Sequence, residues 1–285
     1  MRSKLFVPGS RPELFAKALA GEADAISIDL EDSVVDERKD EARARVAEFL
    51  RSSEVLASNK IVIVRCNAPT TAHFEPDLLA IAQPALDMLN LPKQERSGDV
   101  RTAARRLERV EASNGIGEPV GILATIESPA GIRRAYEIAS AHPRVKGLQL
   151  GLNDLFDTRN IDRQDIANVH AAMFAVRMAA AEAGVDAVDG AYTDLSDGRK
   201  FREEAGMARR LGFCGKSCVH PSQVALANEV FMPSDEEIAA ATRVLEASRR
   251  AASAGVGAFT VDGKMIDRPA IRRAERIVAA ARSSE

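Results

Sequence analysis

The residues able to do chemistry stand where short apolar runs end. Asp29-Leu-Glu-Asp32 follows Asp24-Ala-Ile-Ser-Ile28, and Arg65 follows Ile61-Val-Ile-Val64. Lys93 closes Leu89-Asn-Leu-Pro-Lys93, Glu127 follows Val120-Gly-Ile-Leu-Ala-Thr-Ile126, and Asp154 comes after Val145-Lys-Gly-Leu-Gln-Leu-Gly151. An enzyme that gathers its site at one end of a parallel sheet has this pattern. Glu127 and Asp154 are the leading metal pair. Two carboxylates and water suit Mg²⁺, a small hard ion that takes oxygen ligands, and Mn²⁺ accepts the same donors. A 2-oxo carboxylate could complete such a shell, and the ion would polarise its carbonyl or stabilise an enolate. Helix capping and surface pairing are the other uses of the two acids, and spacing alone leaves both open.

Arg65, delivered by an apolar strand with Asn67 beside it, could clamp a carboxylate through two parallel N–H bonds. A structural ion pair across strand ends suits it equally. Lys93 fits pairing with Asp29, Glu31 or Asp32 better than direct catalysis. That acidic cluster could orient water on a metal, although capping alone accounts for Asp32. Pro8-Gly9-Ser10-Arg11 is a possible phosphate-facing turn, with Lys17 adding positive charge and Phe6 offering a flat apolar surface. Strand termination and core packing are the simpler readings of the same stretch. His220 at a strand end orients structure more readily than it serves as a base. Asp267 lies just before Arg268-Pro269, which favours a helix cap over proton transfer.

Positioning these groups requires strands alternating with helices. Strands are predicted at 3–7, 24–30, 61–66, 86–91, 120–126, 146–151, 186–190 and 214–219. Helices are predicted at 11–19, 37–56, 99–113, 129–140, 162–182, 199–210 and 235–253, with a last basic helix from about Pro269 to Arg282. Parallel strands need such long crossovers, and eight of them suit a closed (β/α)₈ TIM barrel. The seventh strand is weak, so a doubly wound open sheet is the alternative. No G-x-G-x-x-G fingerprint and no Walker A sequence is present. The expected organisation is a barrel domain at 1–232 and a C-terminal helical extension at 233–285. Gly255-Val-Gly257 separates the extension's long helix from Phe259–Asp267, and the extension could cover the site of its own or a neighbouring subunit.

Composition bounds the function. The chain has 285 residues, 46% of them hydrophobic, with a formal net charge of −3 and 4% aromatic residues, so neither a nucleic-acid groove nor an aromatic stacking platform is expected. Cys66, Cys214 and Cys218 form no Cys-x-x-Cys pair and fit reduced thiols in a cytoplasmic protein. The first residues carry no leader pattern and no stretch approaches a membrane span, so a cytoplasmic protein with no membrane partner is expected.

With these marks in order, the chain resembles the citrate lyase β-subunit-like branch of the HpcH/HpaI aldolase family. The resemblance is carried by Leu5-Phe-Val-Pro-Gly9, Asp29-Leu-Glu-Asp-Ser-Val34, Val64-Arg-Cys-Asn67, Leu91-Pro-Lys93, Ile126-Glu-Ser-Pro-Ala-Gly131, Gly151-Leu-Asn-Asp154 and Gly212-Phe-Cys-Gly-Lys-Ser-Cys-Val-His-Pro221. It implies Glu127 and Asp154 as Mg²⁺ ligands, Arg65 as the contact to a substrate carboxylate, and Phe6, Arg11 and Lys17 as contacts to coenzyme A. Asp29, Glu31, Asp32 and Lys93 stand behind them. The tail Gly263-Lys-Met-Ile-Asp267 resembles that of malyl-CoA and citramalyl-CoA enzymes, which implies proton transfer by Asp267 in a neighbouring subunit's site and a homotrimer or dimer of trimers. The implied reaction is reversible cleavage of a 3-hydroxyacyl-CoA to an acyl-CoA and a 2-oxo acid, glyoxylate or pyruvate.

Gln94-Glu-Arg96 departs from the family's usual Val-Glu-Ser, and Gly151-Leu-Asn-Asp154 from Gly-Ala-Glu-Asp; Phe156-Asp-Thr-Arg159 follows where small apolar residues are usual. The adjacent loop could therefore select a different oxo acid or acyl group. Competing readings are a citrate lyase β subunit acting on an acyl-carrier protein, a malyl-CoA thioesterase, an aldolase of free hydroxy-oxo acids, and an inactive acyl-CoA or oxo-acid binding protein.

Overall fold

Eight short runs of β-branched and apolar residues become eight parallel strands. In the computed structural model, which describes residues 1–253 and 257–282, these are β1 (Ser3–Pro8), β2 (Ala25–Asp29), β3 (Ile61–Arg65), β4 (Met88–Leu91), β5 (Gly121–Ile126), β6 (Val145–Leu150), β7 (Asp186–Asp189) and β8 (Gly215–Cys218). Each pairs with its sequence neighbour, and β8 pairs back onto β1 through Ser3–Lys216, Lys4–Ser217 and Leu5–Cys218. The sheet is therefore a closed (β/α)₈ barrel rather than an open doubly wound sheet. The weak seventh strand holds its place because Asp189 lies opposite Lys216 in the ladder, and the two side chains meet at 2.6 Å.

The helices are α1 (Phe15–Ala20), α2 (Lys39–Leu50), α3 (Ser53–Leu56), α4 (Phe74–Ile81), α5 (Ser97–Asn114), α6 (Pro129–Arg133), α7 (Ala135–Ala139), α8 (Leu152–Asp157), α9 (Ile166–Ala183), α10 (Gly198–Leu211), α11 (Pro221–Phe231), α12 (Asp235–Ser253) and α13 (Arg268–Arg282). Three were not expected. α8 is six residues long and α4 eight with a proline in its first turn, both too short to display a helical period before tertiary contacts form, and α11, eleven residues long, follows directly on the last strand. The helix expected at 129–140 is interrupted at Arg134, whose backbone leaves helical geometry.

Ala25, Ile63, Leu123 and Val188 pack inside the barrel, with Met1, Ile61, Met88 and Cys214 against them. Nearer the C-terminal ends the interior turns polar: Thr125 donates to Asn90 at 2.7 Å, and Asn90 donates to Gln149 at 3.2 Å. The three cysteines are free, and burial raises the Cys214 thiol to about 11 and the Cys218 thiol to about 12. Among the described residues no helix is long and apolar enough to cross a membrane.

The chain divides into two compact units, Met1–Glu229 and Val230–Glu285. The second contains α12, α13 and a small antiparallel hairpin of β9 (Phe259–Val261) and β10 (Lys264–Ile266). Asp262 and Gly263 both have positive φ, 50° and 74°, the geometry of a two-residue hairpin turn. Gly257 is described; the other two residues of the expected Gly255-Val-Gly257 separator lie outside the described residues.

Candidate active site

The acidic and basic residues predicted at strand ends converge at the C-terminal end of the barrel, where such folds place their chemistry. Arg65, the last residue of β3, meets Asp29, the last of β2, through Nε to Oδ1 at 2.7 Å and Nη2 to Oδ2 at 2.8 Å. Asp29 also accepts the backbone N–H groups of Glu31 and Ser33, each at 3.0 Å. Burial alone would push this carboxyl up, but Arg65 and these donors outweigh it and hold it below its usual range. The Arg65 Nη1 lies 3.1 Å from Glu31 and 3.7 Å from Asp32. Arg65 thus spends its Nε edge on a structural pair, and a substrate carboxylate would have to use the remaining N–H groups.

Lys93 has a left-handed backbone, φ 57°, immediately after β4. This turn aims its N–H at Glu127 Oε1, 2.6 Å away, while its Nζ reaches Glu31 at 2.7 Å and Asp32 at 3.4 Å. Burial raises the Glu31 carboxyl, with Asp32 adding to the shift and the two cations opposing it.

Glu127 follows β5 and is 5% exposed, while Asp154 sits exposed in the first turn of α8 after β6. The two carboxyls are close enough for the charge of Asp154 to act on Glu127. Burial first, then the charges of Asp154 and Glu31, push the Glu127 carboxyl up to about 8. Gly151 permits the approach, since a Cβ there would lie 2.6 Å from both Cβ and Oε2 of Glu127. Among the described residues no three His, Cys, Asp or Glu side chains form a ready-made metal cage. A carboxylate pair with too much negative charge and no nitrogen or sulfur donor fits a hard ion that keeps water or substrate oxygens in its remaining positions.

A pocket of about 410 Å³ opens over this end, lined by Asp29, Asp32, Arg65 and Asp154 together with Asn153, Thr193 and Val219. A second cleft of about 590 Å³ holds Arg11, Lys17 and His220. Phe6, Pro8 and Val219 line both. The Phe6 ring lies near two cations, with Lys4 Nζ 3.7 Å from its centroid and the Arg65 guanidinium 5.2 Å away. Arg11 pairs with Glu13 at 2.9 Å, and Lys17 is exposed on α1. His220 bonds to Ser222 at 2.8 Å within its own turn. Asp267, in the second unit, accepts the N–H of Ala270 at 3.3 Å and so caps α13. Sequence reasoning missed Thr193 and Val219 as lining residues, and nothing in their local pattern marks them; Asn153 was visible only as a departure from the expected wording.

Residues 2–221 match the HpcH/HpaI aldolase/citrate lyase family. The citrate lyase subunit β of Escherichia coli (strain K12) is 37% identical over 99% of this chain and 94% of its own length. The L-malyl-CoA/β-methylmalyl-CoA lyase of Cereibacter sphaeroides (strain ATCC 17025) is 35% identical over 97% of this chain and 93% of its own. The CitE protein of Mycobacterium tuberculosis, solved in complex with magnesium, acetoacetate and coenzyme A, superposes with a TM-score of 0.77 at 32% identity, covering 99% of each chain. The chain belongs to the HpcH/HpaI aldolase/citrate lyase family, in the branch that holds citrate lyase β subunits and malyl-CoA lyases.

Proposed function

We propose that the chain is a Mg²⁺-dependent carbon–carbon lyase that reversibly cleaves a 3-hydroxyacyl-CoA of the malyl-CoA or citramalyl-CoA type to an acyl-CoA and a 2-oxo acid. The observation that carries this reading is the buried Glu127 carboxyl, uncompensated against Asp154, which lines with Arg65 a pocket that shares its wall with the Arg11 and Lys17 cleft. Glu127 and Asp154 would hold Mg²⁺, or Mn²⁺ in its place. When bound, the ion polarises the oxo-acid carbonyl and offsets charge there.

The chain's own residues do the rest. The Lys93 N–H fixes Glu127, and the Asp29–Arg65 pair fixes the guanidinium, whose remaining N–H groups, on the side of Glu31 and Asp32, bind the carboxylate of the 2-oxo acid. Phe6, Arg11 and Lys17 receive the coenzyme A portion. In cleavage a base takes the substrate hydroxyl proton, the oxygen becomes the oxo-acid carbonyl, and the electrons of the breaking carbon–carbon bond pass to the acyl-CoA α-carbon. A proton must then reach that carbon. Asp267, delivered by a neighbouring subunit of a homotrimer or dimer of trimers, supplies it; in condensation the same carboxylate removes it. A cytoplasmic location suits substrates of this kind.

The similarity to a citrate lyase β subunit supports a second reading, in which the thioester is carried by an acyl-carrier protein. Incubating the purified chain with malyl-CoA and citramalyl-CoA, with Mg²⁺ or with chelator, separates these outcomes when oxo acid and free thiol are both measured. Mg²⁺-dependent oxo acid without thiol is expected. Thiol without oxo acid would instead identify a thioesterase, and turnover only with a carrier-protein thioester would favour the second reading. Binding without turnover would leave an acyl-CoA binding protein.

A further inference from the structure

One wall of the catalytic pocket comes from the segments that follow three successive strands: Asn153 and Asp154 of α8 after β6, Thr193 after β7, and Val219 after β8. A buried charge node joins the same three segments. Lys216 of β8 is 0% exposed, and its ammonium donates to Asp189 Oδ2 at 2.6 Å, Glu204 Oε1 at 2.6 Å and the Gly190 carbonyl at 2.9 Å. Glu204 in α10 also accepts a bidentate pair from Arg163, at 2.7 and 2.9 Å, and Arg163 lies in the segment between α8 and α9. Gln223 accepts from the Val219 N–H at 2.9 Å and donates to the Tyr192 carbonyl at 2.8 Å, tying the last two segments together. Gly190 completes the link. A Cβ there would stand 2.7 Å from the Leu150 carbonyl oxygen and 3.5 Å from the Leu152 nitrogen, so the backbone that Lys216 grips rests on the start of the segment carrying Asp154.

We infer that Lys216 and Arg163 are positioning residues that set the Asp154 side of the pocket. Two cations and two carboxylates make the node neutral. Such a node delivers fixed geometry more than net stability, because desolvation offsets much of its Coulomb attraction. None of its charges lines the pocket, so it acts through these segments. This inference rests on the metal-dependent lyase reading.

Mn²⁺ titrated into the purified protein and followed by its electron paramagnetic resonance signal tests it, with hydrogen exchange of the metal-free proteins at 150–165 and 190–196. Arg163→Gln and Lys216→Met should bind Mn²⁺ on the order of tenfold more weakly, as outer partners of metal ligands do, and should exchange faster in both segments. Arg163→Lys should fall between Arg163→Gln and the unaltered protein. Arg144→Gln breaks an equally close bidentate pair with Glu111, at 2.6 and 2.7 Å, at the N-terminal ends of β5 and β6, and should leave Mn²⁺ affinity unchanged. If Lys216→Met does not fold, Arg163→Gln decides. Unaltered Mn²⁺ affinity in Arg163→Gln, or an equal loss in Arg144→Gln, would overturn the inference. An unaltered protein that binds no Mn²⁺ would overturn the metal-site reading, and this inference with it.

Discussion

Glu127 and Glu204 are each 5% exposed in the same barrel unit, yet one carboxyl is pushed up to about 8 and the other held at about 2. Burial costs both. Around Glu204, Lys216 and Arg163 outweigh that cost; around Glu127, Asp154 and Glu31 add to it, and the Lys93 N–H is the main relief. The same residue type at the same depth is therefore a finished structural element in one place and an unfinished one in the other. Charge left uncompensated, rather than charge buried, separates a candidate binding site from scaffold.

The largest break in this comparison is at Glu127. Glu127→Gln should lower kcat by about 10³-fold or more, the several kcal/mol attributed to charge stabilisation at a metal centre, while the urea-unfolding midpoint of the metal-free protein at neutral pH rises, because a costly buried carboxyl is gone. Unchanged turnover would show that the pair holds no catalytic ion. Lys216→Met should do the reverse to the fold, destabilising it by about 3–5 kcal/mol because two carboxylates lose a shared partner. A chemical denaturation series that finds the variant as stable as the parent would mean the node is dispensable. Arg65→Lys comes next. It keeps the charge but loses the pair of hydrogen bonds to Asp29, and kcat/KM for the hydroxyacyl-CoA should fall by about 10²-fold with a raised KM. Normal kinetics in that variant would assign Arg65 a purely electrostatic role.

The acid limb sharpens the contrast further. The folded Glu204 value lies below its ordinary 4.5, so its stabilisation is complete above about pH 4.5 and is lost as the pH falls toward about 2. Asp189, raised to about 6 chiefly by burial, runs the other way and weakens the fold as pH climbs from about 4 to about 6. The stability difference between the parent and Glu204→Gln should shrink as urea unfolding is repeated from about pH 5 to about pH 3. A constant difference would mean Glu204 is not held low. The smallest effect belongs to Lys17→Ala. This exposed charge should change KM for the CoA substrate by about two- to fivefold, fading at high salt. An identical change for a substrate lacking coenzyme A would rule out a CoA contact.

Much of this was legible in the residues. The run of strand–helix alternation and the acids and bases at strand ends needed no partner chain, because period and strand termination are local properties. What was not legible depended on distant pairs. Arg65 could have been a free clamp or a structural partner, and the contact with Asp29, 36 positions away, makes its Nε edge structural. Phe6 read as a flat apolar surface, but it lies near Lys4 and Arg65. Lys216 is an unremarkable lysine in a strand until α10 brings Glu204 against it.

By itself the sequence determined the eight strands and which carboxylates and cations would stand at their C-terminal ends, since side-chain period and turn chemistry act over a few residues. Only the tertiary structure decided which of those charges would be neutralised. Parallel pairing sets β7 beside β8 and β5, which leads to Glu127, beside β6, which leads to Asp154, and barrel closure brings β8 onto β1. Electrostatic cost at each carboxyl depends on those through-space neighbours and on the water they exclude.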